Sequence, residues 1–231
     1  MELLDALQIH AVNFHSKLTL EEKPTLFLEF HGTEVSARDQ VEVFKGIAES
    51  EGAMRFDWAE KEEDRRRLWK ARHDVYWAVK SRWPGKDVLA TDVCVPISRL
   101  AECVTETQQD IEKHGLVCPI VGHVGDGNFH TTPVFDMKNP AERKVVEGFL
   151  ERLYDAAKDE DPEGLVTYVN YPSTEYLELP FLDICAVNVY LEDRDRLDAY
   201  LARLQNLAGD RPLLLAEVGL DSRRNGLDGQ A

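Results

Sequence analysis

The last 73 residues of this 231-residue chain contain no lysine and no histidine. All 11 Lys lie at or before Lys158, and all 7 His at or before His130. Residues 159–231 carry 15 acidic side chains against 6 Arg, whereas residues 1–158 carry 28 against 21 basic ones. Such a change of composition points to two kinds of sequence joined in one chain, with domains expected at 1–157 and 158–231. A basic excess is also missing. Lys plus Arg number 27 and Asp plus Glu 43, for a formal net charge of −16. That charge repels phosphate backbones and anionic lipid, so no nucleic-acid partner is expected. No apolar run approaches the roughly 18 residues that a membrane-spanning helix needs, so no transmembrane segment is expected. The start, Met1-Glu2-Leu3-Leu4, lacks the basic and apolar regions of a signal peptide. The four cysteines (Cys94, Cys103, Cys118, Cys185) form no C-x-x-C pair and sit among apolar neighbours. They read as buried thiols in a reduced, cytoplasmic setting, with peripheral membrane association left open.

What the chain does contain is 43% hydrophobic residues, enough for a real core. Thr25–His31 alternates as a half-buried strand, and Ser36–Glu51 follows as a helix with Ser36 as its cap. Ala53–Trp58 reads as a short strand, Glu62–Trp83 as one long helix stopped by Pro84-Gly85, and Val88–Val95 as a strand. Ser98 is expected to cap a helix with Leu100, Cys103, Val104, Thr107 and Ile111 as its apolar stripe, ended by Gly115. Asn139-Pro140 opens the next helix as N-cap and N1. The expected fold class is α+β, an antiparallel or mixed sheet with helices packed on it. Beyond Pro162 the order becomes strand, strand, helix, strand: Leu165–Asn170, Phe181–Tyr190, Asp193–Leu207 and Leu213–Val218. This is the grammar of an incomplete parallel β/α segment. The tail Ser222–Ala231 is expected to fray.

The richest segment is Val121-Gly122-His123-Val124-Gly125-Asp126-Gly127-Asn128-Phe129-His130. Asp126-Gly127 between alternating runs predicts a two-residue hairpin turn. That register sets His123 directly opposite His130, close enough for both imidazoles to share a divalent cation. A cross-strand aromatic pair is the alternative.

GHVGDGNFH, together with PTLFLEFHGTE, DRRRLWKARHDVYWA and TDVCVPISRLAECV, resembles successive blocks of the C-terminal substrate domain of FAD-linked 2-hydroxy-acid dehydrogenases. That group includes D-lactate dehydrogenase (cytochrome-type), glycolate oxidase and D-2-hydroxyglutarate dehydrogenase. The resemblance covers about residues 1–157. It implies FAD as cofactor, a small 2-hydroxy acid as substrate, and hydride transfer that yields a 2-oxo acid. It further implies a divalent metal, zinc or manganese, on His123 and His130, and a substrate-carboxylate role for Arg72. The planar fork of Arg72 suits a carboxylate. Asp92 and Asn128 fall in the same blocks, with strand polarity and turn hydrogen bonding as their expected roles.

The family's FAD-binding domain and its later Gly-Glu-His-Gly segment have no counterpart in these residues. The expectation is therefore no turnover by the chain alone, with a separate FAD-binding chain as a possible partner. A metal-dependent hydrolase and a non-catalytic 2-hydroxy-acid-binding module are the alternatives. Residues 158–231 resemble a fragment of a (β/α)8 glycoside-hydrolase-like domain of the sort fused to family 2 glycosyltransferases. In that resemblance Glu217 matches the nucleophile at a strand end, although the partner acid is absent.

Overall fold

A computed structural model describes residues 1–59, 61–170, 177 and 179–219. The expectation for the tail Ser222–Ala231 lies outside them. The chain folds as two compact units, Met1–Val134 and Phe135–Ala231. This division precedes the domain boundary expected at 157/158.

The first unit opens on two elements ahead of the first strand read from the pattern: β1 (Glu2–Leu4) and helix α1 (Ala6–Ser16). Asp5 joins them, its carboxylate accepting from the Gln8 amide at 2.7 Å as an N-cap. Next come β2 (Thr25–Phe27), α2 (Glu34–Ser50), α3 (Glu62–His73) and α4 (Val75–Arg82). The first of these strands is shorter than its alternating pattern because its partner β1 offers only three residues to pair with. Thr33, not Ser36, caps α2, its hydroxyl accepting from the Ser36 amide. Ala53–Trp58 forms no strand. The single helix expected over Glu62–Trp83 divides at Asp74, a weak helix former whose carboxylate pairs with Lys70.

The unit continues through β3 (Asp87–Val88), β4 (Val93–Cys94), α5 (Ile97–Lys113), β5 (Ile120–His123) and β6 (Asn128–Thr131). The expected Val88–Val95 strand is thus two short pieces, and Ser98 lies inside α5 rather than capping it, the cap position being Pro96. Five strands form a sheet in the order β2-β1-β5-β6-β4, with every neighbour antiparallel. Leu4 and Val121 lie opposite each other on one face of this sheet. With Ile9, Val12, Ala71, Ala78 and Val79 from the three helices α1, α3 and α4 they make the core of the unit. Burying each large side chain there contributes roughly 1.5–3 kcal/mol.

Strand β7 (Val134–Phe135) straddles the division. In the second unit α6 (Pro140–Glu160) starts as its sequence predicts: Asn139 accepts from the Ala141 amide at 3.1 Å, with Pro140 in the first turn. Strands β8 (Thr167–Asn170), β9 (Ile184–Val189) and β10 (Leu213–Val218) form a parallel sheet ordered β10-β9-β8, and α7 (Arg194–Ala208) connects β9 to β10. Val187, Val189 and Leu204 are buried against Leu197, Leu201, Leu213 and Leu215. The sheet is parallel, as the strand–helix–strand grammar implies.

Among the described residues no helix is long and apolar enough to cross a membrane. The cysteines differ from expectation. Cys118 is buried, but Cys94 is exposed and Cys103 and Cys185 are only partly covered. Cys94 lies on β4, an outer strand of the sheet.

Candidate functional site

The sequence places His123 and His130 on one hairpin, and the structure keeps them together in a different register. The turn is the four-residue stretch Val124–Gly127, not Asp126-Gly127 alone. His123 therefore pairs with Asn128, and His130 pairs with Val121. Gly127 has φ +77°, and a Cβ there would fall 2.2 Å from the Val95 carbonyl oxygen. A glycine there answers the close approach of the segment that follows β4. The shift by two residues keeps both histidines on one face, now as diagonal neighbours. Their ring centroids are 5.7 Å apart and nearly perpendicular, at 88°.

That face continues onto β1. The pairings Leu4↔Val121 and Leu3↔Gly122 carry Glu2 opposite His123. Glu2 Oε1 lies 2.9 Å from His123 Nδ1. Arg72, on the last turn of α3, reaches the same carboxylate: Nε and Nη2 approach Glu2 Oε2 at 2.8 and 2.6 Å. Its Nη2 also lies 3.5 Å from both ring nitrogens of His123. Arg72 is only 8% exposed, which a guanidinium tolerates because Glu2 compensates its charge. The polar cluster thus borders the apolar core built on Leu4 and Val121.

The hydrogen bonds set the chemistry of the two rings. A carboxylate or a carbonyl oxygen can only accept, so His123 donates from Nδ1 to Glu2. His130 likewise donates from Nδ1 to the Thr91 carbonyl at 2.8 Å. In both rings Nε2 then carries the lone pair that can accept a proton or ligate a cation, that of His123 with Arg72 Nη2 3.5 Å away. Asn128 donates from Nδ2 to the Asp92 carboxylate and to the Val93 carbonyl. These are cross-strand bonds to the β4 side of the sheet, not the turn hydrogen bonding expected for it. Asp92 Oδ1 also lies 3.7 Å from His130 Nδ1. Behind the hairpin Phe129 is fully buried, and Thr91 and Thr131 share a 2.8 Å hydroxyl contact that ties the hairpin to its neighbouring segment.

Glu2 is the site residue that sequence reasoning missed. It stands 70 positions from Arg72 and 121 from His123. Only the register of a three-residue strand brings it in, and no local motif marks it.

Two nitrogens do not complete a metal centre. Among the described residues no group of three or more His, Cys, Asp or Glu side chains is arranged to hold a metal ion. The residues present therefore do not fit the implied metal as a finished site.

Glu217 lies in the second unit, on β10 at a register irregularity where it pairs with Asn188. It is exposed and accepts a hydrogen bond from the Tyr190 hydroxyl. The described strands of that unit form an open three-stranded sheet, without the closed barrel whose mouth a glycosidase nucleophile occupies.

Comparison with known proteins bears on the first unit above all. Residues 1–160 match the family model for FAD linked oxidases, C-terminal domain. The chain is 47% identical over 153 residues to the probable mitochondrial D-lactate dehydrogenase of Danio rerio, covering 66% of this chain and 31% of that protein. It is 40% identical over 147 residues to the mitochondrial D-lactate dehydrogenase (cytochrome) of Arabidopsis thaliana, covering 64% and 26%. It is 26% identical over 159 residues to the glycolate oxidase subunit GlcD of Bacillus subtilis, covering 68% and 33%. The chain spans about a third of the length of the curated relatives it matches. Nothing in these matches supports a glycoside-hydrolase fusion or a bound metal. They also correct the cytoplasmic expectation, because the relatives from Danio, Arabidopsis, Kluyveromyces lactis and Saccharomyces are all named as mitochondrial. Cysteine usage reports redox conditions, not the compartment that supplies them.

Proposed function

The chain belongs to the family of FAD-linked oxidase C-terminal domains, and on that premise we propose that the face carrying Arg72, His123 and His130 binds a small 2-hydroxy acid for a flavin-dependent oxidation of the D-lactate dehydrogenase type. The observation that carries this reading is Arg72 itself. A nearly buried guanidinium stands beside two imidazoles whose Nδ1 atoms are already engaged. With Nε and Nη2 turned to Glu2, its Nη1 has no hydrogen-bond partner among the described residues. A carboxylate approaching that end meets the planar fork that recognises it best. The substrate hydroxyl, a donor, then finds an acceptor at His123 Nε2 or His130 Nε2.

FAD, when bound, supplies the hydride acceptor. The residues of this chain bind and orient the acid, and an imidazole Nε2 takes the hydroxyl proton. No residue here is assigned to the flavin. An FAD-binding partner chain belongs to the proposal, whereas the two imidazoles alone do not make the divalent-metal centre that the family resemblance implies. The incomplete donor set means that no step is routed through it.

Calorimetric titration of the purified chain with D-lactate tests the reading. The expected result is binding that weakens at least about tenfold in Arg72→Met, the loss of one charged hydrogen-bonded contact. Equal affinity in wild type and Arg72→Met, or no binding at all, would overturn it.

A further inference from the structure

Resting on that reading of the site, we propose that Glu2 is a positioning residue that sets the binding edge of Arg72 and the tautomer of His123 together. One carboxylate serves both. Its Oε2 saturates the Nε–Nη2 edge of the guanidinium, and its Oε1 takes the Nδ1 proton of the imidazole. The Glu2 side chain is 14% exposed and that of Arg72 9%, so neither exchanges this pairing freely for water. The carboxylate hangs from β1, an inner strand of the five-stranded sheet that pairs on one side with β2 and on the other with β5, which fixes where both partners must come.

Two consequences follow for ligand chemistry. A 2-hydroxy-acid carboxylate cannot use the Nε side of Arg72 while Glu2 holds it, and is directed to the Nη1 end. His123 is held with hydrogen on Nδ1, so that Nε2 carries the lone pair needed by the substrate hydroxyl. Without Glu2 the ring would be free to adopt the opposite tautomer and present a donor where an acceptor is needed. His130 provides an independent reference, because its Nδ1 donates to a backbone carbonyl and not to Glu2.

Glu2→Gln makes the test sharp. The doubly engaged side of the carboxylate faces Arg72, so the single amide oxygen is drawn to the guanidinium donors and the amide NH2 group turns toward His123. A ring facing an NH2 donor accepts at Nδ1 and moves its hydrogen to Nε2. Nitrogen-15 correlation spectra of the imidazoles in the full chain, with both rings neutral, read this directly. In wild type His123 is expected in the Nδ1–H form. In Glu2→Gln its two ring-nitrogen resonances are expected to exchange character, while His130 stays Nδ1–H and reports that the hairpin remains folded. Glu2→Asp is expected to restore the wild-type form. A wild-type His123 in the Nε2–H form overturns the proposal whatever the variants do, and so does a Glu2→Gln chain in which His123 remains Nδ1–H. Addition of D-lactate to the same wild-type sample separates the two claims. Ring resonances that do not respond to it remove the hydroxy-acid reading and leave the Glu2 tautomer result standing.

Discussion

Asp5 joins the strand that carries Glu2 to the first helix, and burial pushes its carboxyl from 3.8 up to about 6, against the lowering effect of the backbone amides of Gln8, Ile120 and Leu7. In the unfolded chain that carboxyl titrates near its ordinary value. Between about pH 4 and pH 6 the folded chain therefore keeps a proton that the unfolded chain has released. The stability this group contributes is fully present below about pH 4 and is lost as pH rises through about 6. The shift corresponds to a total near 3 kcal/mol. Asp5→Asn removes the titration, and Asn is as good an N-cap as Asp. Urea unfolding of both chains at a series of pH values isolates the contribution, because every other titrating group cancels in the difference. The expected difference is small near pH 4 and grows by about 2–3 kcal/mol in favour of Asp5→Asn by about pH 7. A difference that is flat across this window, or that favours wild type as pH rises, would refute the reasoning.

Two further outcomes concern the hairpin. Gly127→Ala places a methyl 2.2 Å from the Val95 carbonyl oxygen at φ +77° and is expected to cost about 2 kcal/mol or more, whereas Gly125→Ala, whose Cβ meets nothing closer than 3.8 Å, is expected to change stability by less than about 1 kcal/mol; denaturant midpoints compare them. Phe129→Ala empties a fully buried position behind the two histidines and is expected to cost about 3–5 kcal/mol in the same assay.

How far the sequence is legible depends on how local the signal is. The cap at Asn139 stands where its residues place it, because it depends on contacts within a few positions, and the strand Leu213–Val218 keeps the bounds that its apolar run marks. The parallel sheet of the second unit is legible from the order strand, helix, strand, since a helical crossover is how parallel neighbours are joined. The hairpin shows the limit. Asp126-Gly127 carries a genuine turn signal, but the position of Gly127 answers to Val95, a segment about thirty residues earlier that no local rule includes. The register therefore slipped by two residues, and the histidines survived as a pair only because an even shift preserves the face. Glu29-Phe30-His31 alternates convincingly yet finds no strand to pair with beyond Phe27, since β1 is three residues long. Glu2 had no signature of any kind. Its role comes from two long-range pairings, one to a helix end and one to a strand end, and such pairings exist only in the folded chain. The charge asymmetry was a compositional fact with a softer structural correlate: the family match ends at residue 160, while the compact units divide at Val134/Phe135.

The central claim is that one face of the first unit, around Arg72, His123 and His130, receives a 2-hydroxy acid. Amide chemical-shift mapping of the isotopically labelled chain during titration with D-lactate tests it most directly, because it locates the ligand as well as detecting it. Saturable shifts centred on Arg72, His123, Asn128 and His130, absent in Arg72→Met, are the predicted result. Saturable shifts centred elsewhere, or none at those residues, would contradict it.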